Sequence, residues 1–203
     1  MEVVEADVVT GKQTPLVETA KRALAALNLA EVPYAVIGAT ALGVRGLPRF
    51  TADLDVVVYR EDAFEALDAL AGAGFTTDVD VDRDAEPEAL YVLRKGKGTV
   101  DLLVASAEPE SSVIAEATRT LVFGVDSPVA SLEHLVLMYL YSNQPRHLGD
   151  LARIVVETNV DIAHVERYLA DVHPEMLSVL SDRVHAARHP APGPVRPARR
   201  KRT

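Results

Sequence analysis

Asp53-Leu54-Asp55-Val56-Val57-Val58 puts two carboxylates at the head of an apolar run, and a third stands in Thr99-Val100-Asp101-Leu102-Leu103-Val104. Both stretches read as strands, being rich in β-branched residues. Side chains two apart in a strand share a face, so Asp53 and Asp55 project together while Leu54 and Val56 enter the core. Asp101 joins them if its strand lies alongside. Aspartate is a poor strand former, and carboxylates crowded on one face repel unless a positive charge stands between them. Three hard anionic oxygen donors suit Mg²⁺ or Mn²⁺, with coordination positions left for phosphate oxygens and water. Asp53, Asp55 and Asp101 are therefore the expected metal ligands and catalytic carboxylates of a phosphoryl- or nucleotidyl-transfer site.

Immediately upstream, Tyr34-Ala35-Val36-Ile37-Gly38-Ala39-Thr40-Ala41-Leu42-Gly43-Val44 reads as a short buried strand, a tight turn at Gly38 and a helix of small residues. The amides of Gly38, Ala39 and Thr40 and the Thr40 hydroxyl would hold an anion at the start of that helix. A nucleoside triphosphate is the anion that suits a neighbouring pair of metal-binding aspartates.

These residues resemble the nucleotidyltransferase superfamily with the polymerase-beta-like core. That family carries a hydrophobic residue, Gly and Gly or Ser, then a spacer and Asp-x-Asp, the layout of Val36-Ile37-Gly38-Ala39-Thr40 and Asp53-Leu54-Asp55. Arg45-Gly46-Leu47-Pro48-Arg49-Phe50-Thr51-Ala52-Asp53 is similar to a stretch of the AbiEii-like and related minimal nucleotidyltransferases, many of them toxins of toxin–antitoxin pairs. The resemblance runs from about residue 14 to about residue 157 and includes Asp101 as third carboxylate and Arg146-His147-Leu148-Gly149-Asp150-Leu151 as a closing segment. It implies an α/β fold with a mixed β-sheet core flanked by helices, and transfer of a nucleoside monophosphate from NTP to a hydroxyl acceptor with Mg²⁺ or Mn²⁺. Asp101 would serve as general base, Arg45 and Arg49 would neutralise the leaving pyrophosphate, and His147 and Asp150 would reach acceptor or nucleotide.

Two positions depart from the family pattern. Ala39 replaces the second small residue of the phosphate turn, and Tyr139, in His134-Leu135-Val136-Leu137-Met138-Tyr139, stands where relatives carry a lysine facing the phosphates. The resemblance implies a toxin acting on tRNA or protein, partnered by an antitoxin protein. An antibiotic-modifying nucleotidyltransferase and a degenerate nucleotide-binding module remain open alternatives.

Composition agrees. The chain carries 21 Lys and Arg against 30 Asp and Glu, a net charge of −9, so its general field repels nucleic acid. There are no cysteines, which excludes disulfides and thiolate metal sites. No leader or apolar stretch long enough to span a bilayer is evident, so a cytoplasmic protein with no membrane association is expected.

The expected organisation is a catalytic core over 1–127, a helical region over 128–189 that packs on it, and a disordered proline-rich basic tail over 190–203. Within the core, Thr14-Pro15 opens a helix to about Asn28. A helix over 61–73, strands over 75–81, 89–94 and 99–105, a helix over 110–117 and a short strand over 121–125 follow. Helices over 132–141, 146–157, 161–172 and 174–187 make up the second region. Asp78, Asp80, Asp82 and Asp84 lack the glycine and terminal glutamate of a calcium loop and read as a solvated connection. His134, His164, His173, His185 and His189 share no metal-binding spacing and are given no role.

Overall fold

Ala20, Ala23, Leu24 and Leu27, spaced as one face of a helix, are all fully buried in α1 (Pro15–Leu29), the first element of the computed structural model, which describes residues 15–142 and 144–190. The expected cap Thr14, the break residue Asn143 and the basic tail from 191 lie outside the described residues. There follow β1 (Tyr34–Val36), α2 (Gly38–Val44), β2 (Asp53–Val58), α3 (Ala63–Gly72), β3 (Thr76–Thr77), β4 (Leu90–Lys95), β5 (Gly98–Val104), α4 (Glu110–Ala115), β6 (Thr118–Val122) and β7 (Val125–Val129). The helices α5 (Leu132–Tyr141), α6 (Pro145–Glu157), α7 (Ile162–Val172) and α8 (Leu177–Arg188) are the last α-helices of the described residues.

The strands form one seven-stranded mixed sheet in the order β3-β4-β5-β2-β1-β7-β6. β2 pairs in parallel with β5 and β1 with β7, and the remaining neighbours are antiparallel. The two faces are told apart at Gly98, where a Cβ would lie 2.8 Å from Thr19 Cβ of α1 and collide with its hydroxyl. Alternation then turns Val100, Leu102 and Val104 toward α1, and their register partners Leu54, Val56 and Val58 with them; all six are buried. The opposite face of the same two strands carries Asp53, Asp55, Thr99 and Asp101.

Two expectations are corrected. The strand over 75–81 shrinks to Thr76–Thr77, and Asp78, Asp80, Asp82 and Asp84 are all exposed, because aspartates alternating with apolar residues favour hydration over a ladder. The single strand over 121–125 is instead a hairpin, β6 and β7, turning on Phe123 (φ 49°) and Gly124 (φ 87°). Two successive positive φ values give the turn whose twist suits a two-residue hairpin loop, but Phe-Gly lacks the Asn-Gly or Asp-Gly signal, and Pro128 argues against a strand. The boundary expected between 127 and 128 falls inside β7.

The helical half opens with Ser131, whose hydroxyl accepts the His134 N–H at 3.1 Å, and α7 is capped by the Asp161 carboxylate on the His164 N–H at 3.0 Å. Pro174–Met176 forms a 3₁₀ turn before α8 rather than the first turn of one helix. One continuous apolar core joins Leu135, Leu137, Leu151, Ile154, Val165, Leu169 and Leu180 of these helices to the sheet. Among the described residues no helix is long and apolar enough to cross a membrane.

Candidate active site

The register of β2 and β5 sets Asp55 directly opposite Asp101, with Asp53 opposite Thr99. Partnered residues of parallel strands project the same way, so the three carboxylates lie on the face turned away from α1. β1 hands over to α2 at Gly38 (φ 61°), and a Cβ there would stand 2.7 Å from Asp55 Cγ and collide with Oδ2. Glycine is thus required twice, by the left-handed backbone and by the carboxylate pressed against it. The Ile37 N–H donates to the Asp55 carbonyl at 3.0 Å, tying the turn to the acidic strand.

Crowding shows in the protonation of the face. Burial, reinforced by the charges of Asp53 and Asp101, pushes the Asp55 carboxyl up to about 7, with Arg146 and Arg49 pulling the other way. Asp101 is also raised, by burial and then by Asp53, against Arg146 and Arg94. Asp53 accepts a hydrogen bond from the Thr51 hydroxyl. Among the described residues no three His, Cys, Asp or Glu side chains are drawn together as a ready metal-ligand set. The expected trio shares a face without being gathered round one point.

The remaining expected residues separate into two groups. Arg49 donates from Nε to Asp150 Oδ2 at 2.9 Å, linking the connection before β2 to α6, and Asp150 is only 5% exposed. Asp150 therefore holds Arg49 in place beside the carboxylate face. Arg45, four residues earlier, donates to the Ala130 and Val129 carbonyls at 2.9 and 2.8 Å and to the Thr118 hydroxyl at 2.7 Å. Those bonds bind α2 to the β6–β7 hairpin, so the structure commits Arg45 away from the carboxylates. His147 Nδ1 meets Ser142 Oγ at 2.6 Å, its ring stacks on Tyr139 with centroids 4.7 Å apart, and burial together with Arg146 lowers its pKa. Ala39 is buried in α2 and offers only its backbone.

The sequence reading assigns no functional role to Arg146, Tyr139 or Phe50. Arg146 is exposed on α6 and its charge acts on both Asp55 and Asp101; its only sequence signal is a place beside His147 in the closing segment. Tyr139, 3% exposed, keeps a hydroxyl that makes no hydrogen bond of full geometry among the described residues, although the Arg49 guanidinium comes close enough to interact with it and the charges of Asp150 and Asp55 also reach it. The Thr40 hydroxyl, in the first turn of α2, is the other buried side-chain group without such a hydrogen bond among the described residues. Phe50, between Arg49 and Thr51, leaves its ring 90% exposed.

The Arg49–Asp150 pair gives a direct stability test. Asp150→Asn removes the countercharge from a partly buried guanidinium and is expected to lower unfolding free energy by about 2 kcal/mol, read from urea titrations. The double variant with Arg49→Ala should lose less than the sum of the two single changes.

No family model and no curated protein matches the chain. Among solved structures it is similar to ANT(2")-Ia in complex with adenylyl-2"-tobramycin, at 20% identity over 85% of this chain and 98% of that one, with a TM-score of 0.48. JHP933 from Helicobacter pylori aligns at 16% identity over 84% of this chain and 89% of its own, with a TM-score of 0.47. TM1012 from Thermotoga maritima, a candidate nucleotidyltransferase, aligns at 16% identity over 76% and 92% of the two chains, with a TM-score of 0.48. The chain itself has the expected α/β architecture, a mixed sheet flanked by helices.

Proposed function

We infer that the chain is a metal-dependent nucleotidyltransferase, moving a nucleoside monophosphate from an NTP to a hydroxyl acceptor. The observation that carries this reading is the direct register pairing of Asp55 with Asp101 on one sheet face, with Gly38 pressed against Asp55. The donor set fits Mg²⁺ or Mn²⁺, because it is all carboxylate oxygen and because burial, reinforced by the charges of Asp53 and Asp101, raises the Asp55 carboxyl to about 7, a cost that a bound cation would relieve. Asp53, Asp55 and Asp101 would hold the ion. When bound, it neutralises phosphate charge and acidifies the acceptor hydroxyl.

The chain's own residues do the rest. Asp101 takes the acceptor's proton as the acceptor oxygen bonds to the α-phosphorus and the bond to pyrophosphate breaks, the electron pair leaving with pyrophosphate. Arg49, fixed by Asp150, and Arg146 supply the positive charge for the phosphates, which compensates for the lysine replaced by Tyr139. The backbone of Gly38, Ala39 and Thr40 and the hydroxyls of Thr40 and Tyr139 offer hydrogen bonds to bound ligand. His147 packs beneath Tyr139 and positions it. The exposed ring of Phe50 offers a face on which a base can stack.

The stretch from Arg45 to Asp53 supports a finer reading, in which the acceptor is a tRNA or a protein and the chain is the toxin partner of an antitoxin protein. Purified protein with Mg²⁺ and α-labelled NTPs should transfer label to a cellular RNA or protein fraction, and Asp101→Asn should not. Equal labelling by both, or none by either, removes the reading. Tyr139→Phe should leave stability unchanged or raise it by up to ~1 kcal/mol, since it deletes a buried hydroxyl that makes no hydrogen bond of full geometry among the described residues. The same change should raise the KM for nucleotide about five- to tenfold, as loss of one hydrogen bond to ligand implies.

A further inference from the structure

A cavity of about 840 Å³ opens between the N-terminal half of α1 and the β4–β5 hairpin, on the α1 side of the sheet. Its rims carry Lys21 and Arg22 on α1, and Lys95 and Lys97 on the hairpin. Lys21, Lys95 and Lys97 are the only lysines between residues 15 and 190, so every lysine of the described structure borders this one space, in a chain with a net charge of −9.

Elsewhere on this acidic surface six arginines find partners, Arg60 with Glu86, Arg83 with Asp68, Arg94 with Asp78, Arg119 with Asp126, Arg153 with Glu157 and Arg167 with Asp161. The cations outside the cavity that form no ion pair among the described residues, such as Arg146, Arg183 and Arg188, line no common space with its lysines. Here Lys95 is tethered to the Ala73 carbonyl at 2.9 Å, while Lys21, Arg22 and Lys97 form no ion pair among the described residues. Glu18 is the one carboxylate in the lining. Unneutralised cations facing each other across an open space are an electrostatic footprint for a phosphate-bearing ligand.

The layout selects the kind of phosphate. The charges line two rims instead of converging on one point, which suits successive phosphates of a chain better than a single small anion. Gly96, beside which a Cβ would meet nothing within 4 Å, keeps the hairpin rim low, so a backbone can approach it. Gly98 lies three residues before Asp101 on β5, about 10 Å along the strand, so a polymer held here has its continuation within reach of the carboxylate face round the strand end.

We propose that this cavity is a second binding site, separate from the carboxylate face, that takes the phosphodiester backbone of a single-stranded nucleic acid. Its use in holding an acceptor rests on the nucleotidyl-transfer reading above; the binding itself does not.

The test is fluorescence anisotropy of a labelled single-stranded RNA dodecamer with the full chain, across about 50–200 mM salt. Wild type should bind with steep salt dependence. Lys21→Gln with Lys97→Gln should weaken binding about tenfold at the low-salt end and reduce the slope of log K against log salt by about 1.4, two contacts at ~0.7 each. Asp101→Asn should bind as tightly as wild type, so failure of catalysis is separated from failure of binding. Arg22→Gln, at an exposed position, should lower the slope by about 0.7, which keeps the test decisive if the double variant folds poorly. Millimolar ATP or inorganic phosphate should not displace the RNA. The proposal is overturned if the double variant binds as wild type does, as it would were the basic tail the binding element. Displacement by micromolar ATP, marking a small-nucleotide site, or absence of binding by wild type would also overturn it.

Discussion

Asp55→Asn is expected to reduce nucleotidyl transfer by about a thousandfold or more and, in the absence of divalent cations, to make the protein more stable. On the proposed function, the activity loss follows from removing one of two carboxylates in direct register on one sheet face. The stability gain follows from the raised Asp55 pKa, which burial and the neighbouring Asp53 and Asp101 push from 3.8 to about 7. Below 3.8 the carboxyl is protonated in both folded and unfolded chains. As pH rises toward 7 the unfolded chain releases its proton while the folded one retains it, so stability falls throughout that window and stays lost above it. Asparagine has no proton to release and escapes the loss, which is on the order of 2–4 kcal/mol at its full extent. Urea denaturation should therefore show little difference between variant and wild type near about pH 4 and a clear advantage for the variant near about pH 8. Added Mg²⁺ should stabilise wild type at the higher pH and leave the variant nearly unaffected. A variant destabilised equally at both pH values would contradict the charge crowding inferred for this face.

Gly38→Ala is expected to be the most damaging single-methyl change in the site. The backbone at φ 61° disfavours any Cβ by about 1–2 kcal/mol. The added carbon would also stand 2.7 Å from Asp55 Cγ, and closer still to Oδ2, so either the turn or the carboxylate must move. Together these should lower stability by about 2–4 kcal/mol and transfer activity by about a hundredfold, since small displacements of reacting groups are amplified in rate. Gly46→Ala separates the two causes. Gly46 has φ 91°, and a methyl added there would meet nothing within 4 Å, so that variant should show backbone strain alone and keep its activity. Comparable activity loss in both variants would remove the special role of the Gly38–Asp55 contact.

The parts of the site that were legible are those written in local sequence. Asp53-Leu54-Asp55 followed by three valines defines a strand with acids on one face, because alternation in a strand is a property of the local backbone and needs no partner. The Gly38 turn, the Ser131 cap and the Asp161 cap are likewise short-range hydrogen-bonding and backbone choices, and each appears where the residues placed it. The β6–β7 hairpin was illegible for the matching reason: its turn uses Phe123 in a positive-φ position that local preference assigns to Asn or Asp.

The sequence by itself determined the two acidic strands, the glycine turn before them and the helical second half, since each is dictated by the periodicity and backbone preferences of neighbouring residues. Only the tertiary structure decided which charges meet. Arg45 and Arg49 lie on one connection and look alike in sequence, yet one is spent on the Val129 and Ala130 carbonyls and the other is held by Asp150 beside the carboxylates. Arg146 acquires its role from the packing of α6, and the lysines of α1 and of the β4–β5 hairpin become one basic cavity because β5 lies against α1. Electrostatic energy depends on distance through space, and distances between residues far apart in the chain exist only once the sheet order and helix packing are set.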